Sequence, residues 1–170
     1  SKLNFTNSDF FAIDSSLKIS PSTSYTVNLT FKPTSINIYL DTLTVPFNLP
    51  KRDNPTVILR GAGIKPTITA SVTEMNFDSV LVREPRMISF NIVNSGNDTL
   101  SVDSLVNITS YFSPTPDGIV KIPPDDTLRA NVIFLPDTGG VFNDTLTIYS
   151  DDPDQQNVVI PMAGIGLTYP

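Results

Sequence analysis

The chain has 170 residues, with 11 Lys and Arg against 17 Asp and Glu, a formal net charge of −6, and neither His nor Cys. Without those two residues, Ser-His-Asp and Cys-His nucleophilic arrangements and ordinary zinc sites are excluded, and the fold must rest on a packed core because no disulfide can form. The acidic balance, with Lys51-Arg52 as the only adjacent basic pair, argues against nucleic acid and anionic membrane, since phosphate binding needs clustered Lys and Arg.

Taken in chain order, the first feature is an echo. Lys18 to Gly63 matches Lys121 to Gly166 without a gap at a spacing of 103 residues. The shared positions are Pro21/Pro124, Asn28/Asn131, Phe31/Phe134, Pro33/Pro136, Asp41-Thr42-Leu43-Thr44/Asp144-Thr145-Leu146-Thr147, Gly61/Gly164 and Gly63/Gly166. Fixed spacing marks one module used twice. Further upstream, pairing Phe11 with Phe112 requires a slip of two residues, as expected of a surface loop. Nothing upstream corresponds to residues 66 to 105. The expected organisation is therefore the C-terminal part of an Ig-like β-sandwich over 1–64, lacking its N-terminal strands, followed by a complete sandwich over 65–170.

Gly63-Ile64-Lys65-Pro66 is the expected linker, short and stiffened by its Pro, so consecutive domains are expected end to end with restricted freedom. In the complete copy, short alternating runs of Val, Ile, Thr and Phe predict strands near Thr67–Val72, Asn76–Val82, Arg86–Val93, Leu100–Ile108, Thr127–Leu135, Asn143–Tyr149 and Asn157–Met162. The fold class is thus all-β: tandem Ig-like sandwiches with about seven strands in the complete copy. Alternation points Ile88, Phe90 and Ile92 to the core, together with Ala130, Val132 and Phe134, and with Leu146 and Ile148, leaving Thr145 and Thr147 outward. Turns are predicted at Asn94-Ser95-Gly96-Asn97-Asp98, Pro123-Pro124-Asp125-Asp126 and Ser150-Asp151-Asp152-Pro153-Asp154, where Asn, Asp, Gly and Pro each supply turn chemistry. The longest nearly apolar run, Val158 to Leu167, is broken by Pro161 and Gly164 and is far short of the roughly 20 residues a membrane helix needs.

Phe77-Asp78-Ser79-Val80, Asn94-Ser95-Gly96-Asn97, Ile122-Pro123-Pro124-Asp125-Asp126, Phe134-Leu135-Pro136, the run from Asp144 to Asp154 and the closing Ile160 to Gly166 together resemble the ASH-type Ig-like domain, related to the major sperm protein fold. In bacteria, similar tandem repeats occur in large secreted or surface proteins described as choice-of-anchor D proteins. In eukaryotes they occur in ciliary and centrosomal scaffolds. The resemblance covers the second copy almost completely and the first from its middle onward. One departure is Asp78, where the family usually has Gly after the Phe. The family implies no catalytic residues.

Chemistry is left to carboxylates. Asp137-Thr138-Gly139 spells the aspartic-protease tripeptide, but the aligned Thr34-Ser35-Ile36 supplies no second Asp, and Pro136 with Gly139-Gly140 favours a turn. Glu74 and Glu84, the only Glu residues, flank a predicted strand and lack the apolar setting of a glycosidase pair. Asp151, Asp152 and Asp154 are candidate calcium ligands; they lack EF-hand spacing, and the counterpart segment Pro46 to Lys51 has no acid. A hairpin turn is the preferred reading of all three. Tyr39, Tyr111 and Tyr149 could line a weak carbohydrate platform, whereas Phe5, Phe10, Phe31, Phe90 and Phe134 fall at core positions. The N-x-S/T sequons at Asn4, Asn28, Asn97, Asn107 and Asn143 are attributed to a composition rich in these residues.

The expected function is a non-catalytic spacer or scaffold in a multi-domain bacterial secreted or surface protein, located outside the cell or in the periplasm. Opening on Ser1 and closing on Leu167-Thr168-Tyr169-Pro170, where a linker is expected, the chain reads as a section of a longer array. Neighbouring Ig-like domains are the expected partners, no cofactor is required, and the truncated first domain is expected either to be capped by strand addition from another chain or to pack on itself imperfectly. Two other classes stay open: an adhesion or carbohydrate-binding module, which also admits a protein or glycan partner, and a ciliary or centrosomal scaffold.

Overall fold

The computed structural model describes residues 3–6, 8–12, 18–47 and 52–169. Lys51, which ends the acid-free counterpart of the Asp151 loop, and the terminal Pro170 lie outside them. The chain divides into two compact units, Ser1–Ile64 and Lys65–Pro170.

The second unit is a two-sheet sandwich. Its strands are β5 (Ile68–Ala70), β6 (Met75–Leu81), β7 (Arg86–Asn94), β8 (Leu100–Val106), β9 (Phe112–Thr115), β10 (Val120–Ile122), β11 (Thr127–Phe134), β12 (Gly140–Ser150) and β13 (Asn157–Leu167). One sheet runs β10-β8-β12-β13-β6 and the other β5-β7-β11-β9. All pairs are antiparallel except β6 with β13, which run parallel with Met75 opposite Met162 and Leu81 opposite Leu167.

Each sheet turns one face inward, because side chains alternate along a strand. Phe90 and Ile92, Ala130, Val132 and Phe134, and Leu146 and Ile148 are buried in one continuous core with Phe77, Leu100, Val102, Phe112, Ile160 and Met162; Ile88 packs on its margin. At the centre Phe134 stacks on Phe112 (ring centroids 4.8 Å, 20° between planes) and meets Phe142 edge-on at 5.5 Å.

There are nine strands here, two more than the pattern predicts. β9 contains Pro114 and is followed by Pro116, a composition that reads as loop. It lies at the edge of its sheet, where a missing N–H costs no ladder bond. β10 is three residues long, also at an edge, and too short for alternation to register. β12 and β13 run past their predicted ends because Gly164 and Gly166, which read as breaks, sit inside β13, and Gly140 opens β12 at φ +144°, a conformation glycine accepts.

The first unit is built from β1 (Phe10–Ala12), β2 (Leu29–Phe31), β3 (Ile38–Thr44) and β4 (Thr56–Ala62), paired β1-β2 and β3-β4, both antiparallel. It repeats the centre of the second unit closely. Phe31 stacks on Phe10 at 4.7 Å and meets Tyr39 edge-on at 5.4 Å, the places taken by Phe134, Phe112 and Phe142. Since Phe10 opposes Phe31 as Phe112 opposes Phe134, the counterpart of Phe112 is Phe10 and not Phe11. Phe11 is largely exposed, and the slip is one residue, not two.

The repeated glycines have a contact reason. A Cβ at Gly164 lies 2.5 Å from the Phe134 ring and one at Gly61 lies 2.5 Å from the Phe31 ring. A Cβ at Gly166 meets the Thr138 carbonyl at 2.3 Å, as one at Gly63 meets that of Ser35 at 2.0 Å. Phe-x-Pro and Gly-x-Gly are thus two sides of one close approach between the strand that ends in the Phe and the last strand.

Asp78, where the resembled family carries Gly, has φ +52° in a stretch where the β6–β13 register shifts. Asp is among the few side-chain-bearing residues that tolerate this region. Here its N–H donates to Asn76 Oδ1 at 2.9 Å and its carboxylate pairs with Arg86 at 2.9 Å.

Gly164→Ala and Gly166→Ala are each expected to destabilise the second unit by about 2 kcal/mol, in the range for overpacking a core. Gly61→Ala is expected to cost less, because the half-buried Phe31 has room to shift. Urea unfolding followed by circular dichroism ranks the three. Asp78→Gly is expected to change stability by less than about 1 kcal/mol, since relief of the backbone offsets loss of an exposed ion pair, whereas Asp78→Val destabilises in the same assay.

Candidate functional site

The acids singled out as calcium candidates lie in the loop between β12 and β13, and each faces a different partner. Asp152, buried, accepts the N–H of Ile68 at 2.9 Å, of Asp154 at 2.9 Å and of Gln155 at 3.3 Å. Asp151 accepts the Ser101 N–H at 2.8 Å while its own N–H donates to the Ser101 carbonyl at 3.1 Å. Asp154 pairs with Lys65. These carboxylates diverge and join the hairpin to β8, to the start of β5 and to Lys65. Among the described residues no group of three or more His, Cys, Asp or Glu is arranged to hold a metal ion.

Asn94, the first residue of a predicted turn, is completely buried and its amide is fully used. Its Nδ2 donates to the carbonyls of Asp98 (2.7 Å) and Ile122 (2.9 Å), and its Oδ1 accepts from Gly96 (3.0 Å) and Thr67 (3.2 Å). A buried amide left unpaired costs about 1–3 kcal/mol, so this one pins three chain segments. Beside it the Lys65 N–H donates to Asn97 Oδ1 at 2.9 Å. The backbone of 65–67 passes so near Gly96 that a Cβ there meets the Lys65 carbonyl at 2.3 Å.

A second buried acid carries no motif beyond the repeat itself. Asp144 on β12 accepts five hydrogen bonds: Asn107 Nδ2 (3.1 Å), the N–H groups of Ile108 (3.1 Å), Thr109 (2.8 Å) and Thr145 (2.7 Å), and the Thr109 hydroxyl (2.7 Å). Burial raises its pKa, but the bonds from Thr109, Thr145 and Asn107 outweigh burial and hold it at about 2. Its counterpart Asp41, also buried, accepts the N–H of Thr6 at 2.8 Å and of Thr42 at 2.6 Å. Asp152 is pushed the same way: burial raises it, and the N–H groups of Ile68, Asp154 and Gln155 with the Lys65 charge bring it below its ordinary value.

The remaining candidates do not converge. Asp137, Thr138 and Gly139 form an exposed link between β11 and β12, and Glu74 and Glu84 are exposed beyond opposite ends of β6. Tyr111 packs edge-on against Phe142 at 4.6 Å and Tyr149 is exposed on β12. In the first unit the Tyr39 hydroxyl bonds to Ser35. Of the sequon residues, Asn97 and Asn107 spend their side chains on internal bonds.

Shallow grooves flank the two repeated acids. Glu74, Asn76, Asn143 and Pro161 line one beside Asp144, and Thr6, Leu40, Ile58 and Arg60 line the other beside Asp41. Both grooves include the repeated Asp-Thr pair, Asp144-Thr145 and Asp41-Thr42, but around it Leu40 stands for Asn143 and Arg60 for Ala163, so the surrounding chemistry differs.

No protein-family model and no curated protein matches this chain. Among solved structures it is similar to the ASH/PapD-like domain 7 of human CEP192, with TM-score 0.55 and 9% identity over 62% of this chain and 89% of that one. The fold is that of an ASH/PapD-like domain. It is also similar to a protein of unknown function from Porphyromonas gingivalis W83, across 97% of this chain and 85% of that one, with TM-score 0.54 and 14% identity. SSP-19, an MSP-domain protein like family member in Caenorhabditis elegans, superposes less well, with TM-score 0.45 and 13% identity over 57% of this chain and 98% of that one.

The Asp144 carboxyl titrates lower in the folded second unit than an ordinary aspartate does, at about 2. The stability it contributes is therefore full above the unfolded pKa and is lost as pH falls through about 2. That loss is on the order of 2 kcal/mol. Asp144→Asn is expected to be less stable at neutral pH and to show a shallower fall in urea midpoint between pH 5 and pH 2. A variant curve parallel to that of the parent chain contradicts this account.

Proposed function

We propose that the chain is a structural section, spacer or scaffold, of a multi-domain secreted or cell-surface protein, with neighbouring Ig-like domains as its partners and no chemistry of its own. One observation carries this reading. What the two units share, down to ring geometry and glycine contacts, is packing and strand closure, while outside the repeated Asp-Thr pair, whose carboxylates already accept backbone N–H groups, the groove rims differ. The acids support it as well, because Asp144, Asp151 and Asp152 accept backbone N–H groups and Asp154 holds Lys65.

Calcium is expected to move the melting temperature by less than about 1 °C, whereas a specific site at 100 times its Kd adds about 2.7 kcal/mol and several degrees. A glycan array probed with and without calcium is expected to stay blank. Reproducible binding to one glycan class turns the reading toward an adhesion module. Cell fractionation of the natural host with an antibody against residues 65–170 tests the location, and a purely cytoplasmic signal overturns the surface assignment.

A further inference from the structure

The second unit shows what a finished domain places on each edge that the first unit presents. β4 corresponds to β13, β3 to β12, β2 to the end of β11 and β1 to β9. The bridge between Asn4 and Thr44 is the counterpart of Val106 opposite Thr147 at the end of β8. Leu3, buried beside it, stands where Leu105 stands. Among the described residues nothing lies on β4 as β6 lies on β13, on β2 as β7 lies on β11, or on β3 beyond Asn4 as β8 lies on β12.

Exposure follows this absence position by position. Ile19 is 57% exposed where Ile122 is 2%, Leu29 is 40% where Val132 is 0%, and Val57 is 49% where Ile160 is 1%. These are core positions by register, and their apolar row is bounded by the edges of two different sheets. An apolar face of this kind, beside strand edges on which no described strand lies, is a template for strand addition.

We propose that the first unit is the acceptor half of a sandwich, completed in cis by one contiguous β-segment patterned like residues 65–102 and running directly into Leu3. The counterpart of β6 adds parallel to β4, placing residues equivalent to Met75, Phe77 and Val80 over Val57. The counterpart of β7 adds antiparallel to β2, placing equivalents of Phe90 and Ile92 over Leu29. Two observations select this occupant. Leu3 and Asn4 already hold the register of the last residues of β8, so the missing part of that strand continues on their amino-terminal side. The open edges on β4 and β2 belong to different sheets, so one occupant must cross between sheets, as the β6–β7 turn does. A second copy of this chain has its own β6 and β7 already committed to β13 and β11.

The test joins a copy of residues 65–102 ahead of Ser1 and follows amide hydrogen exchange by mass spectrometry, with residues 65–170 as internal reference. Exchange over 27–31 and 56–62 is expected to slow at least about tenfold relative to the 170-residue chain, with a monomer by light scattering. Phe77→Asp in the added copy alone is expected to abolish the gain. Unchanged exchange in the extended chain overturns the proposal. So does a 170-residue monomer that already protects 27–31 and 56–62 as well as 130–134 and 159–165. A dimer of the 170-residue chain whose protection falls on dilution makes a second copy the occupant and overturns it equally.

Discussion

The close approach of the last strand to the Phe134 ring is the contact on which the second unit depends. A ring that fills the space above Gly164 leaves no room for a side chain, so β13 must carry glycine there, and Gly166 two residues on passes the backbone of Thr138. With β13 so placed, its other residues meet both neighbours in its sheet: β12 along ten paired positions and β6 in parallel. The 103-residue repeat keeps both members of this contact at the same separation, which explains why Phe31, Pro33, Gly61 and Gly63 recur when most surface residues do not.

Buried polarity in this protein is directed at the backbone. Asp144 holds the segment after β8, Asp152 holds the start of β5, and Asn94 holds the turn between β7 and β8 against the chain that leads into the unit. Each is a group whose burial is costly unless its bonds are complete. Among the described residues, no buried side-chain N or O lacks a partner. Such groups rigidify loops, and their lone pairs are already committed, which distinguishes them from a site prepared for substrate.

Strand identity and facing were legible wherever a strand was long and alternated, as in β7, β11 and β12, because burial on one face forces the pattern. Legibility failed at the short edge strands β9 and β10, where Pro114 and three-residue length remove the periodic signal although pairing remains. The Phe10/Phe11 pair shows a different limit: two adjacent identical residues leave register to the strand partner, and Phe31 decides it. Asp78 was visible as a departure from the resembled family, but its left-handed backbone and Arg86 pair were not. The acids divided likewise. Composition drew attention to Asp151, Asp152 and Asp154 as a cluster, and only geometry shows that they point apart. Asp144 stood in a repeated tetrad with nothing to separate it from a surface turn, because four of its five donors come from residues 107–109, remote in sequence.

The parallel pairing of β6 with β13 bears on how this unit would resist a pull on its ends. β6 begins soon after the chain enters the unit, and β13 is the last strand before it leaves. Tension between the two ends pulls the start of β6 and the finish of β13 in opposite directions along their common axis. Their ladder is then loaded in shear, with the hydrogen bonds from Met75 to Leu81 sharing the force at once and not opening one after another from an end. A rupture must slide Phe77 and Val80 out of the core in the same event. The strand order of the fold thereby places its most cooperative resistance along the direction in which a chain of such units would be stretched.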